Sequence, residues 1–160
     1  RRKAIEFSKQ GFSQTHLVYA SYKGNRKLLD TLLWLINILP CKENGSQDIA
    51  KKESVKFSVY DSRIRAYCLS APLIAQLGKN YANGFDSLIT GDELLKLGVI
   101  SLEDQSDLGG KFAYLECEDK PKLLQFYAEN GFCEFDRRQL DRDETGLQGD
   151  YLVQLLKYIR

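Results

Sequence analysis

Apolar residues recur along this chain with two different periods, and the switches between them mark its elements. Gln14–Tyr22, QTHLVYASY, mixes β-branched, aromatic and small residues as a strand does. Ahead of it, Ala4, Ile5 and Phe7 with Gly11 as a stop predict a short helix. From Asn25 to Leu39 the apolar positions fall at 28, 29, 32 to 36, 38 and 39, a recurrence compatible with a buried helix that Pro40 ends. The polar stretch 42–56 reads as a loop. Residues 66–80, AYCLSAPLIAQLGKN, are the most apolar strand-like run, and Pro72 in its middle removes a ladder hydrogen bond, so this strand is expected to bulge, splay or lie at an edge.

The second half alternates strands and helices. YANGFDS is a loop, and ITGDELLKLG begins a helix capped by Thr90 or Asp92, with Leu94, Leu95 and Leu97 as its stripe. Gly98, Val99, Ile100 and Ser101 are poor helix formers, so the helix is expected to fray there. A strand centred on Phe112, Tyr114 and Leu115 follows. A helix then carries Pro121 in its first turn and stops at Gly131 in the left-handed conformation. FCEFDRR and YLVQLLKYI are two last strands with no helix between them, which predicts a mixed sheet in an α/β fold.

One hundred and sixty residues without a linker or repeat read as one domain, 1–160. Lys and Arg number 23 against 22 Asp and Glu, a balance that gives nucleic acid no electrostatic footprint. Cys41, Cys68, Cys117 and Cys133 lack metal-site spacing, and His16 has no second ligand near it, so no metal is expected and free thiols in a reducing compartment are. The run Leu28–Cys41 contains Asp30 and is shorter than the roughly 20 residues of a membrane span. The chain opens on Arg1 rather than Met, read as a trimmed N-terminus with no signal peptide. The expectation is a soluble cytoplasmic protein with no membrane or nucleic-acid partner.

The order strand, glycine loop, helix, strand, a helix containing FY, then GF at the start of another strand resembles the GNAT superfamily of acyl-CoA N-acyltransferases. FYAENGF looks like that family's signature on its last conserved helix. APLIAQLGKNY, ITGDELL, KFAYLECEDKPKL and LDRDETGLQGDYLVQLLKYI resemble a bacterial acetyltransferase branch of it, so that the likeness spans roughly residues 1–23 and 56–160. The resemblance implies a GNAT-like mixed, largely antiparallel central sheet flanked by helices. It also implies transfer of an acetyl group from acetyl-CoA, as co-substrate, to a primary amine on a small molecule or protein, by direct attack in a ternary complex. A homodimer is compatible with it.

Site residues follow from the same likeness. The thioester carbonyl would be polarised by backbone N–H groups on a strand parted from its neighbour, matched here by Gln76, Leu77, Gly78 and Lys79. The CoA pyrophosphate would sit on the loop and helix start at Ile89, Thr90, Gly91 and Asp92. Of the family's glycine-rich pattern only Gly91 remains; Asp86 stands where a cation or amide is usual and Ile89 where a glycine is usual. Lys120 stands where relatives carry an asparagine near the cofactor. Tyr127 would protonate the departing thiolate or donate a hydrogen bond to it, since a phenol of pKa about 10 holds its proton at pH 7. Glu116 and Glu118 alternate with Cys117 at a strand end and would face one side, where either could accept the amine's proton.

Residues 28–55 depart from the family, which has a strand hairpin where this chain has a leucine-rich helical pattern. One codon choice for Asp30–Cys41 reads, one nucleotide out of phase, as an alternating strand-like peptide, so the segment is read as a compensated frameshift in the gene or in its sequence. It would then lose its sheet pairing and part of the acceptor wall. The rival to an active enzyme is therefore a noncatalytic CoA-binding or protein-interaction domain derived from an acetyltransferase.

Overall fold

The computed structural model describes residues 13–22, 24–35, 38–41, 58–63, 65–103, 111–142, 144, 146–147 and 149–159. The helix expected before Gly11 and the loop expected at 42–56 lie outside them. The chain divides into two compact units, each assembled from two segments: residues 1–36 with 72–108, and residues 37–71 with 109–160. Every strand pairing described within a unit is antiparallel.

The first unit holds β1 (Ser13–Tyr22), β2 (Asn25–Leu35), β6 (Leu73–Lys79), a 3-10 segment (Ala82–Leu88) and helix α1 (Gly91–Glu103). β2 pairs with β1 on one side and β6 on the other. The helix expected over 25–39 is thus absent: Asn25–Leu35 is a strand, and Ile38–Cys41 forms another, β3. The sheet pairing that a rewritten segment was expected to lose is present. A short continuous apolar run fits a buried strand as well as a helix, and the deciding signal is the turn before it. Tyr22 pairs with Asn25, which leaves two residues for the connection, and Gly24 there takes φ 74°. Only a glycine adopts that conformation without steric cost, so Lys-Gly between two apolar runs encodes a hairpin.

Helix α1 also outruns its expected end. Leu94, Leu95, Gly98, Val99 and Leu102 form one buried stripe, and the Ser101 hydroxyl donates to the Gly98 carbonyl at 2.7 Å. Burial of three leucines and a valine, about 2 kcal/mol for each side chain, outweighs the weak propensity of Gly98–Ser101.

The second unit contains two antiparallel sheets. β5 (Ala66–Ser70) lies between β3 and β4 (Ser58–Asp61). β9 (Tyr151–Tyr158) lies between β7 (Phe112–Glu118) and β8 (Cys133–Gln139), and helix α2 (Pro121–Glu129) joins β7 to β8. The single strand expected over 66–80 is two strands, broken at Ala71–Pro72, where proline has no N–H to give a ladder. Phe112, Tyr114, Leu115, Phe132, Val153, Leu155 and Leu156, each at most 2% exposed, form the core around β7 and β9. Cys68, Cys117 and Cys133 are free thiols. Among the described residues no helix is long and apolar enough to cross a membrane.

Candidate functional site

In the first unit, the four residues expected to face the cofactor along β6 pair with β2: Gln76 with Leu33, Leu77 with Leu32, Gly78 with Thr31 and Lys79 with Asp30. The register slips just before them, since Trp34 meets Ile74, so Ala75 is an extra residue that bulges β6. The expected irregularity of this strand therefore falls at Ala75, three residues past Pro72. Lys79 turns back on the following loop and donates to the Asp86 carbonyl at 2.9 Å, while Asn80 donates to the Leu28 carbonyl at 2.8 Å. Those two bonds fix the path from β6 into the 3-10 segment. Asn83 and Gly84 within it both take left-handed φ, 56° and 71°.

Ile89 anchors that loop from below. Its side chain is buried with Leu94 against Val18, Leu77 and Phe85. An apolar anchor thus does what a packed glycine turn would otherwise do, and the start of α1 is held in place.

The start of α1 is a complete capping box. The Glu93 carboxylate accepts from the Thr90 N–H at 2.8 Å and from its hydroxyl at 2.9 Å, and the Thr90 hydroxyl oxygen accepts from the Glu93 N–H at 3.1 Å. These bonds with the Thr90 backbone and side chain hold the Glu93 carboxyl below its usual pKa. With Asp92 beside it, the first turn carries two acidic side chains. Both stabilise the helix dipole, and both repel an incoming pyrophosphate from the donors that Thr90, Gly91 and Asp92 were expected to offer.

In the second unit, Tyr127 belongs to the stop of α2. Asn130 is the C-cap and Gly131 takes φ 81°. Phe132 N–H donates to the Tyr127 carbonyl at 3.0 Å and Gly131 N–H to the Ala128 carbonyl at 2.9 Å, the paired bonds of a Schellman ending. The Tyr127 and Phe132 rings meet edge to face at 6.1 Å, supplying the apolar contact that accompanies that ending. The spacing in FYAENGF is therefore first a folding signal: a ring one turn before the glycine packs on the ring just after it.

The Tyr127 hydroxyl is what this packing leaves over. Burial raises its pKa, and the Cys117 thiol beside it raises it further, so the phenol keeps its proton. Cys117 is itself pushed up to about 11 by burial and by the charges of Asp119, Glu118 and Glu134. Among the described residues nothing hydrogen-bonds the Tyr127 hydroxyl. A half-buried, protonated and unpartnered phenol is a donor available to a ligand.

Glu116 is placed quite differently. Its carboxylate takes two bonds from Arg138 Nε at 2.8 and 2.9 Å, one from Arg138 Nη2 at 2.6 Å, one from Gln154 at 3.1 Å and another from the Tyr114 hydroxyl. Burial acts to raise its pKa, but the bonds from Arg138, Tyr114 and Gln154 outweigh burial and hold it below the usual carboxylate value. Arg138 also holds Glu144, at 2.7 and 2.8 Å, and these bonds together with the Asp141 N–H bring Glu144 down to about 2. A carboxylate so fully used is a poor proton acceptor. Cys117, next to Tyr127, and Glu116 are adjacent in β7 and point to opposite faces, so Tyr127 and Glu116 do not converge. Glu118 pairs with Lys120 at 2.9 Å, a bond that occupies both.

Two features had no sequence signal. Arg138 and Glu144 sit six residues apart across an irregular loop, a spacing with no periodic meaning, and only the pairing of β7, β9 and β8 reveals their link to Glu116. A cavity of about 300 Å³ lined by Asp119, Lys120, Gly149 and Tyr151 likewise gathers residues from two separate stretches.

No protein-family model matches the chain, and no curated protein does. Solved structures do. An acetyltransferase from Bacillus subtilis in complex with CoA superposes with a TM-score of 0.56 at 13% identity, covering 100% of this chain and 84% of that one. A GNAT family acetyltransferase from Elizabethkingia anophelis with acetyl-CoA bound gives 0.53 at 11% identity, over 99% and 84%. Nourseothricin acetyltransferase gives 0.53 at 14% identity, over 94% and 68%. At such identities it is the path of the backbone that is shared: the chain has the α/β fold of the GNAT acetyltransferases.

Proposed function

We propose that this chain transfers an acetyl group from acetyl-CoA to a primary amine by direct attack in a ternary complex. The observation that carries the reading is the Tyr127 hydroxyl, protonated and unpartnered among the described residues on a helix end that its own ring helps to fix. The fold shared with acetyltransferases that bind CoA and acetyl-CoA supports the same co-substrate here.

In this mechanism the neutral amine attacks the carbonyl carbon of the thioester. The C–S bond then breaks, the thiolate leaves, and the acylated nitrogen gives its extra proton to water. Burial raises the Tyr127 pKa above that of an ordinary phenol, so it holds its proton against a thiolate and acts chiefly by donating a hydrogen bond to the sulfur. We assign the base role to neither Glu116, which Arg138 holds, nor Glu118, which Lys120 holds; the acceptor reaches the site as free amine.

The acid-capped start of α1 favours a second reading, a noncatalytic domain that keeps the fold and has lost its hold on CoA. Calorimetric titration with acetyl-CoA, with desulfo-CoA alongside, separates the two. Saturable micromolar binding supports the enzyme. Absence of binding by a chain with an intact thermal transition supports the second reading and overturns the first.

A further inference from the structure

The 300 Å³ cavity in the second unit has a feature that the proposed transfer does not use. Asp119, just past β7, accepts from the Tyr151 hydroxyl and, at 3.4 Å, from Arg137 Nη1, and both contacts fall on its Oδ2. Its Oδ1 has no partner among the described residues. Arg137 is shared, its Nε donating to Glu134 at 2.8 Å, and Lys120 donates to Glu118 at 2.9 Å. Tyr151 is braced in turn, its hydroxyl taking a bond from Arg137 at 2.8 Å and its ring lying 4.9 Å from the guanidinium. Asp119 is thus a carboxylate with a fixed orientation and one open oxygen that shares Arg137 with Glu134, so that Asp119, Glu118 and Glu134 outnumber the two cations Arg137 and Lys120. Gly149, at φ 97° with open space where a Cβ would stand, lines the same cavity without a side chain to fill it.

We propose that this cavity is a subsite for an organic ammonium group, and that the acceptor is a di- or polyamine. This rests on the acetyl-transfer reading. An amine held by Asp119 has its pKa raised by the ion pair, so it stays protonated and cannot be the nucleophile. The group bound here is therefore a second cationic centre, while a different nitrogen of the same molecule attacks the thioester. Asp119 is two residues beyond Cys117, about 7 Å of extended chain, so a short aliphatic spacer connects this subsite with the Tyr127 region inside the second unit.

The test compares 1,4-diaminobutane with butylamine as acceptors. The expected result is at least a tenfold higher kcat/KM for the diamine, the size of one charge-assisted hydrogen bond, and a fall of that ratio to near one in Asp119→Asn with affinity for acetyl-CoA unchanged. Equal use of the two amines by the wild type, or an undiminished ratio in the variant, overturns the subsite. Calorimetric binding of 1,4-diaminobutane to wild type and Asp119→Asn answers the same question without turnover, so failure of acetyl transfer is seen separately from failure of the subsite. Loss of diamine binding in the folded variant supports the proposal, and binding that the substitution leaves intact, or that the wild type lacks, overturns it.

Discussion

Tyr127 joins two roles in one residue, and substitutions separate them. Its ring closes the Schellman ending on Phe132, and its hydroxyl has no part in that contact. Tyr127→Phe is expected to keep the thermal midpoint within a few degrees and the affinity for acetyl-CoA within about twofold, while lowering kcat by about 100-fold, the lower range for loss of one hydrogen-bond donor to a developing charge. Steady-state kinetics beside a melting curve check this. Gly131→Ala isolates the folding role. The added Cβ meets only the Lys157 side chain, at 3.6 Å, so its cost is conformational, about 1 kcal/mol from forcing an alanine to φ 81°. Denaturant unfolding should show that loss with no change in the effect of Tyr127→Phe. At this scale the sequence was informative about position: FYAENGF places both the tyrosine and the glycine. It offered Glu116 as a candidate base and carried no sign of Arg138, which strand pairing and nothing local brings to that carboxylate.

Among the elements, the helices were legible at their starts and the strands at their turns. Thr90 and Glu93 form the box that their spacing announces, and Pro121 opens α2. The stretch Asn25–Leu35 was misread as a helix because its apolar run satisfies both periods, and the information lay in Gly24 rather than in the run. The same capping box sets a prediction at this scale. If the first turn of α1 faces the CoA phosphates, its acidic side chains weaken binding, so Asp92→Asn should tighten the affinity for acetyl-CoA several-fold at low ionic strength, an advantage that added salt removes. An unchanged affinity at low salt would mean that the phosphates lie elsewhere.

Across the whole molecule, the Arg138 network sets the response to acid. The folded pKa of Glu144 lies at about 2, below the usual 4.5, and that of Glu116 is also depressed. A depressed carboxylate contributes stability that is fully present above its unfolded pKa and lost as pH falls through the folded one. The melting temperature should therefore fall from about pH 4.5 downward, with the Glu144 contribution gone near pH 2. Replacing Arg138 by leucine strands Glu116, 15% exposed, without its cation. Arg138→Leu should cost about 3 kcal/mol at pH 7 and make the acid limb shallower, because the two carboxylates then titrate nearer their ordinary values. The α/β class and the order of elements after the break at Pro72 were readable from period and punctuation alone, whereas the split of 66–80 into two strands was not. The division into two units was not, since each unit joins segments far apart in the chain, and neither was the cavity at Asp119.

The most direct test of acetyl transfer is release of free CoA thiol from acetyl-CoA, followed with and without 1,4-diaminobutane. The account predicts release that depends on the amine, saturates with both substrates and falls about 100-fold in Tyr127→Phe. Release at the same rate without amine, or none from a folded chain that binds acetyl-CoA, would contradict it.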